Sequence, residues 1–500
     1  MTRKEFLRLA SLGAGATAVG PFGGGPAEAA APTPKPAPPS GVTDALVAFV
    51  AGASFDAMPN DVRLQAKRCL IDGLGCVLAG ATVKGSAIVH EYVKASGGHS
   101  EATLLGPEPI AATAAQAALA NGASGHAMDY DDTQLSTTPD RVFGLLTHPT
   151  VPVLAASLAL GERLGVSGRV FLEAFLTGFE VECKIAEAIN PDHYLRGFHS
   201  TGTIGTLGAA ASAAKLLGLD RGKLAHAFGI AASMSSGIRV NFGSMTKPLH
   251  AGRAAENGIV SAELASRGFT AGDVALDGEW GFFEVFGGGA DVSRIVGALG
   301  KPYSIVSPGV SVKPYPCGSL GHPTMDAMMR LVTDHDVKPE QVRHVRVRAG
   351  SNILNPLRYK DAKTELEAKF CLPFMMSAII LQRRAGIREF TDAYVSSAPV
   401  QAMMTKVETV FDQGIEARGF DKMRSVVEVD LTDGRTLVQA SDERYRGGPD
   451  RPFTREELHE KFTDCASLLL PPDRIARSLE LIEGLERVGN VKELVAALQV

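Results

Sequence analysis

The sequence predicts a mainly α protein, with a large all-helical domain followed by a smaller α+β domain. Three observations predict it. From about Thr43 to Gly300 apolar residues recur with the helical period and Ala and Leu are dense. After Ser304 the pattern changes to alternation, as in Val342-Arg-His-Val-Arg-Val-Arg348. The chain has 500 residues, more than one compact core usually holds.

Residues 1–29 read as an export signal. Thr2-Arg-Lys-Glu-Phe-Leu-Arg8 is a charged opening, Leu9 to Phe22 an apolar run too short to span a bilayer, and Ala27-Glu-Ala29 a small-residue cleavage site. The opening is twin-arginine-like, with Arg3-Lys4 in place of two arginines. Export to the periplasm, with no stable membrane insertion after cleavage, is the expectation. Residues 30–42 form a Pro-rich linker.

The helical domain is expected over 43–304. Its helices are read at Asp61–Leu78, Ala111–His126, Thr150–Leu164, Arg169–Ile189, Thr206–Leu217 and Leu224–Met234. Pro152-Val-Leu-Ala-Ala-Ser-Leu-Ala-Leu160 is apolar on most faces, as expected inside a bundle or at a subunit interface. The α+β domain is expected over 305–450. It contains helices at Leu366–Leu381 and Phe390–Val395, and strands Ser425–Leu431 and Arg435–Gln439 joined at Asp433-Gly434 by a type I′ hairpin. Residues 451–500 return to amphipathic helix, expected to pack back on the helical domain.

Net charge is −5 with no basic block, which argues against nucleic acid as a partner. Six cysteines lie scattered without C-x-x-C spacing, so neither a zinc site nor an obligatory disulfide is expected.

Any anion site is therefore local, and Ser244-Met-Thr-Lys-Pro-Leu-His-Ala-Gly-Arg253 offers one. With Pro248 as first helical residue, Lys247, His250 and Arg253 fall within roughly a 120° arc beside free N–H groups. Cations at a helix N-terminus oppose its dipole, and such a broken local rule points to a functional site, the alternative being a solvated basic turn or an ion pair to Glu256. Asn121-Gly-Ala-Ser-Gly-His-Ala-Met-Asp-Tyr-Asp-Asp-Thr133 is the acidic counterpart. On a helix, His126, Asp129 and Thr133 share a face and Asp131 points away. His148 and His199 also precede helices, as a site built between bundle helices requires. Lys313, Tyr315, Cys317 and His322 lie on a Pro/Gly-rich loop after the domain boundary, where cleft-closing loops occur.

These segments together resemble the MmgE/PrpD family. The resemblance rests on His126-Ala-Met-Asp-Tyr-Asp-Asp-Thr133, Thr147-His-Pro149, Gly197-Phe-His-Ser-Thr201, Met245-Thr-Lys-Pro-Leu-His-Ala-Gly-Arg-Ala-Ala255, Lys313-Pro-Tyr-Pro-Cys317 and Glu367-Ala-Lys-Phe370. It implies a homodimer whose α+β domain is a lid on the helical domain, acting on small polycarboxylates with no cofactor and no metal, with Asp129, Thr133, His148, His199 and Lys247 in the cleft and Lys313 and Tyr315 from the lid. Three departures stand out: a long segment between Thr133 and His148; Gly318 where some members carry Cys or His, so that a lid-borne proton donor is either missing or supplied by His322; and the export signal, which is uncommon for the family's cytoplasmic metabolism.

The expected activity is that of a metal-independent lyase or isomerase working through a carbanion next to a carboxylate, by dehydration, decarboxylation or epimerisation. Asp129, His148, His199 and Lys247 are the expected catalytic residues; Thr133, His250, Arg253, Lys313, Tyr315 and His322 are the expected substrate-binding ones. Two other readings stay open on the sequence: a non-catalytic polycarboxylate-binding protein, and a metal-dependent lyase using Asp129, Asp131 and Asp132.

Overall fold

The computed structural model describes residues 40–136, 138 and 146–500. The expected export signal, most of the Pro-rich linker and part of the segment between Thr133 and His148 lie outside the described residues.

Helices of six residues or more are numbered here. The first nine are α1 (Val42–Gly52), α2 (Asn60–Gly80), α3 (Lys84–Ser96), α4 (Ala114–Ala127), α5 (Thr150–Leu164), α6 (Gly168–Ile189), α7 (Ser200–Leu216), α8 (Arg221–Met234) and α9 (Thr246–Ser266). Their starts follow local chemistry, since Thr113, Ser167 and Asp220 each accept a backbone N–H from the first turn of α4, α6 and α8. At the centre, α9 packs against α4 and α7 at glycine contacts. A Cβ on Gly122 would lie 2.8 Å from the Gly252 Cα, and one on Gly258 would lie 2.4 Å from the Ala209 Cβ. Backbones meet where side chains are missing, so the ends of these helices are fixed relative to one another.

A short antiparallel pair, β1 (Ala102–Leu104) with β2 (Ile110–Ala112), interrupts the helices. Helical periodicity alone did not show it. Helix α7 begins six residues before its expected start, because Gly202 and Gly205 lower helix propensity but let Ser236 and Pro152 approach.

The second half holds α10 (His322–Asp334), β3 (Val342–Ala349), α11 (Leu372–Gln382), α12 (Ala398–Met404), β4 (Val407–Phe411), β5 (Ser425–Leu431) and β6 (Thr436–Ala440). The sheet order is β4-β3-β5-β6, with only β3 and β4 parallel. The β5–β6 connection is not type I′. Leu431 pairs with Arg435 across Thr432-Asp433-Gly434, and of those three only Gly434 is left-handed, as in a three-residue loop. The helix expected at Leu366–Leu381 is two, Glu365–Ala368 and α11, because Pro373 opens a new first turn. The break turns Lys369 and Phe370 inward.

One apolar cluster joins residues of α2, α5 and α6 with α13 (Arg455–Ala466), α14 (Pro472–Glu483) and α15 (Lys492–Ala497). Another gathers residues from Tyr315 to Tyr445 around the sheet. All six cysteines are buried thiols.

Candidate functional site

The pocket lies where α4 ends, α7 and α9 begin, and the Lys313–Leu320 loop crosses over them. Its cavity measures about 50 Å³, room for a few waters and smaller than most small-molecule sites. Its charged centre is three residues. Lys247 Nζ lies 2.9 Å and Lys313 Nζ 2.5 Å from the same oxygen, Asp129 Oδ1. Asp129 Oδ2 is buried without a partner among the described residues. Burial alone would push the Asp129 carboxyl up, but the two ammonium groups hold it well below the usual carboxylate range. Burial lowers the Lys247 pKa, and Asp129 opposes that shift. Phe242 and Phe370 stack at 5.8 Å and place their rings 5.2 and 5.4 Å from the Lys247 ammonium. Two positive charges and one negative leave a cationic centre against an apolar wall.

Neutral histidines surround it. His148 Nδ1 donates to the Asp132 carbonyl at 2.9 Å, with Asp131 Oδ2 at 3.5 Å, so the proton is fixed on Nδ1. Nε2 of this pocket-lining ring has no hydrogen-bond partner among the described residues. Burial lowers the His148 pKa more than Asp131 raises it. His199 precedes α7; its Nδ1 meets His250 Nδ1 at 3.0 Å and its Nε2 is buried without a partner among the described residues. Burial, followed by His126 and Lys247, holds the His199 pKa well below its ordinary value. Thr133 completes this side, its Oγ1 lying 3.3 Å from Ser319 Oγ.

Family models match this arrangement over nearly its whole length: the MmgE/PrpD N-terminal domain over residues 44–295 and the MmgE/PrpD C-terminal domain over residues 315–487. The chain belongs to the MmgE/PrpD family. Its relatives include human cis-aconitate decarboxylase, 28% identical over 470 residues, covering 92% of this chain and 94% of that protein. The mouse cis-aconitate decarboxylase is 26% identical over 468 residues, covering 92% and 93%. The cis-aconitate decarboxylase of Aspergillus terreus is 24% identical over 490 residues, covering 92% and 96%.

Within this MmgE/PrpD chain, six of the ten expected site residues line the pocket: Asp129, Thr133, His148, His199, Lys247 and Lys313. Four do not. Arg253 is 49% exposed in its side chain and pairs with Glu256, because the small face of α9 turns it outward. His250 lies behind His199, where burial and Lys247 lower its pKa to about 4. Tyr315 donates to Asp326 at 2.7 Å in a separate groove. His322 is held by Tyr445 and the Cys317 carbonyl, so it does not stand in for Gly318 as a donor.

The acidic motif also differs from expectation. Helix α4 ends at Ala127, and Asp129 has φ 50, so Asp129 and Thr133 share no helix face with His126. Asp131 points toward His126, accepting its Nδ1–H at 2.9 Å. The three aspartates diverge, Asp129 to the lysines, Asp131 to histidines and Asp132 to Thr150, so they do not form the carboxylate cluster of the metal reading. His126, Asp131 and His148 do bring ligand-type atoms within 4.8 Å of one another. Sequence reasoning missed Tyr194, Phe242, Ser319 and Phe370 as lining residues. Only Phe370 lay inside a recognised motif.

Proposed function

We propose that this chain is a lyase that removes CO2 from cis-aconitate, or from a small polycarboxylate of the same skeleton, through a carbanion beside a carboxylate. The observation that carries the reading is the meeting of Lys247 and Lys313 on Asp129 Oδ1 beside two pocket-lining histidines whose Nε2 atoms have no partner among the described residues. The relatives' names support lyase chemistry on a carboxylate and, as decarboxylases, the choice of the bond to CO2.

A substrate carboxylate competes with Asp129 for the ammonium protons of Lys247 and Lys313, and the N–H groups opening α7 add donors. The carboxylate on the methylene arm leaves as CO2. Its bonding pair forms the new double bond, and the old double-bond pair moves to the carbon beside another carboxylate. The resulting enediolate carries charge that the fixed cations stabilise; one such donor is worth about 10²–10³ in rate. His148, neutral at rest with its proton on Nδ1, takes up a solvent proton on Nε2 and delivers it to that carbon, giving 2-methylenesuccinate with one proton consumed and one CO2 released. The apolar wall of Phe242 and Phe370 favours loss of a charged group as a neutral gas.

Proton NMR in D2O with cis-aconitate, 2-methylcitrate, citrate and an aspartate-derived iminodiacid tests the reading. The expected result is two new methylene-alkene signals from cis-aconitate, with one deuterium in the adjacent CH2. No turnover of any of the four acids would overturn it. The chain is also proposed to be exported and to act as a homodimer. N-terminal sequencing of protein recovered from the periplasm, and its mass by light scattering, test those two points.

A further inference from the structure

Helix α4 ends in a row of backbone carbonyls that meet three buried ammonium groups. Lys369 Nζ donates to the Ala127 carbonyl at 3.0 Å, Lys313 Nζ to that of Asp129 at 2.9 Å, and Lys461 Nζ to that of Tyr130 at 2.8 Å. Lys461 also donates to the Lys313 carbonyl at 3.0 Å, which ties the lid loop to the acidic motif. The carbonyls belong to the first half of the chain and all three lysines to the second. Carbonyls at a helix C-terminus have no helical partners, and cations there complement the dipole. Asp129, in the middle, holds the left-handed φ of 50 that L-residues adopt only with support.

We infer that Lys369 and Lys461 are positioning residues: they clamp Ala127–Tyr130 so that the Asp129 carboxylate holds Lys247 and Lys313 at the centre of the pocket. Neither residue lines the pocket, so both act through Asp129. The inference rests on the proposed site for its effect on turnover, but the clamp itself does not depend on any substrate.

The test uses the full chain. Lys369→Met is the primary variant, because its partner Glu365 is 20% exposed in its side chain and is not left as a buried unpaired charge. Lys461 pairs with fully buried Asp72, so it is changed together with Asp72→Asn. Hydrogen exchange followed by mass spectrometry, without substrate, reads the clamp. Lys369→Met should speed exchange about tenfold or more in peptides covering 126–133 and leave α5, α7 and β5 unchanged. Unchanged exchange at 126–133, or an increase spread over the whole chain, would overturn the inference.

Kinetics read the route. On cis-aconitate, Lys369→Met should lower kcat/KM about tenfold in the wild-type background and by less than about twofold in Asp129→Asn. Equal losses in both backgrounds would show that Lys369 does not act through Asp129. If the wild-type chain turns over no acid, the functional reading fails alone and the exchange result still decides the clamp.

Discussion

Replacing Lys247 by Ala separates the contribution of this residue to the fold from its contribution to the chemistry. In the folded protein its ammonium lies 2.9 Å from Asp129 Oδ1, with both side chains nearly fully buried. Removing one member of a buried pair usually costs about 3–5 kcal/mol, because the other charge is left alone. Asp129 is not left alone, since Lys313 remains 2.5 Å from the same oxygen. The desolvation that lowers the Lys247 pKa is also relieved. The stability loss is therefore that of a charge-assisted hydrogen bond, about 1.5–3 kcal/mol, toward its lower end. Catalysis has no such reserve. A fixed cation facing developing carboxylate charge in a buried site is worth about 10²–10³ in rate, or about 3–4 kcal/mol. Lys247→Ala should then stay folded, with Tm slightly lowered, and lose at least about a hundredfold in kcat/KM for cis-aconitate followed by its vinyl signal. Lys247→Met restores the packing against Phe242 and Phe370 without the charge and should be as inactive. A Lys247→Ala protein within about threefold of wild type in kcat/KM would refute the anion-site argument, and recovery of activity by Met would show that packing was the cause.

The remaining predictions concern pH, packing and the excluded residues. If His148 delivers the proton, it must be charged in the free enzyme, and burial holds its pKa below 6.5; kcat/KM should therefore rise as pH falls from 8 through 6.5, whereas a plateau that falls toward acid would indicate proton abstraction and thus dehydration or epimerisation. Burial, followed by Asp72, raises the Asp132 pKa from 3.8 to about 7. The stability this raised acid contributes is present below the unfolded value and lost as pH rises through about 7, up to about 4 kcal/mol for roughly three units; Asp132→Asn should show a smaller fall in Tm between pH 4.5 and 8, and an unchanged fall would refute the assignment. A Cβ on Gly252 would sit 2.2 Å from the Leu119 carbonyl oxygen, so Gly252→Ala should lose about 1–3 kcal/mol despite better helix propensity, read as lowered Tm. Arg253→Ala should keep kcat/KM within about twofold, since its guanidinium faces solvent and Glu256.

How much of this was legible depends on whether the deciding contact is local. Thr150–Leu164 is read from the sequence with the bounds it has in the structure, because a long apolar run between Pro149 and Gly165 carries its own period and stop. Strand β5 is likewise read residue for residue from its alternation. The basic turn was half legible. A 100° spacing places Lys247, His250 and Arg253 within about 120°, but it does not say which edge meets the bundle. The small residues do. Ala251, Ala254, Ala255 and Gly258 define a face centred near Lys247, and Arg253 falls about 120° from it, toward solvent.

The end of α4 was not legible at all. His126-Ala-Met-Asp-Tyr-Asp-Asp-Thr133 contains neither Gly nor Pro, so helical spacing runs straight through it. The cations around its end come from Lys313, Lys369 and Lys461, between 184 and 331 residues away, and no local pattern encodes them. What the sequence could show was conflict. Three acids at a helix C-terminus oppose its dipole, just as the cations of the Lys247 turn oppose theirs at an N-terminus. Each violation is unfavourable alone, and each is relieved by the other, because Asp129 and Lys247 meet. Two locally wrong charges that become right only when the fold brings their helix ends together are the expected signature of a built site, and the left-handed backbone at Asp129 marks where the fold holds that arrangement in place.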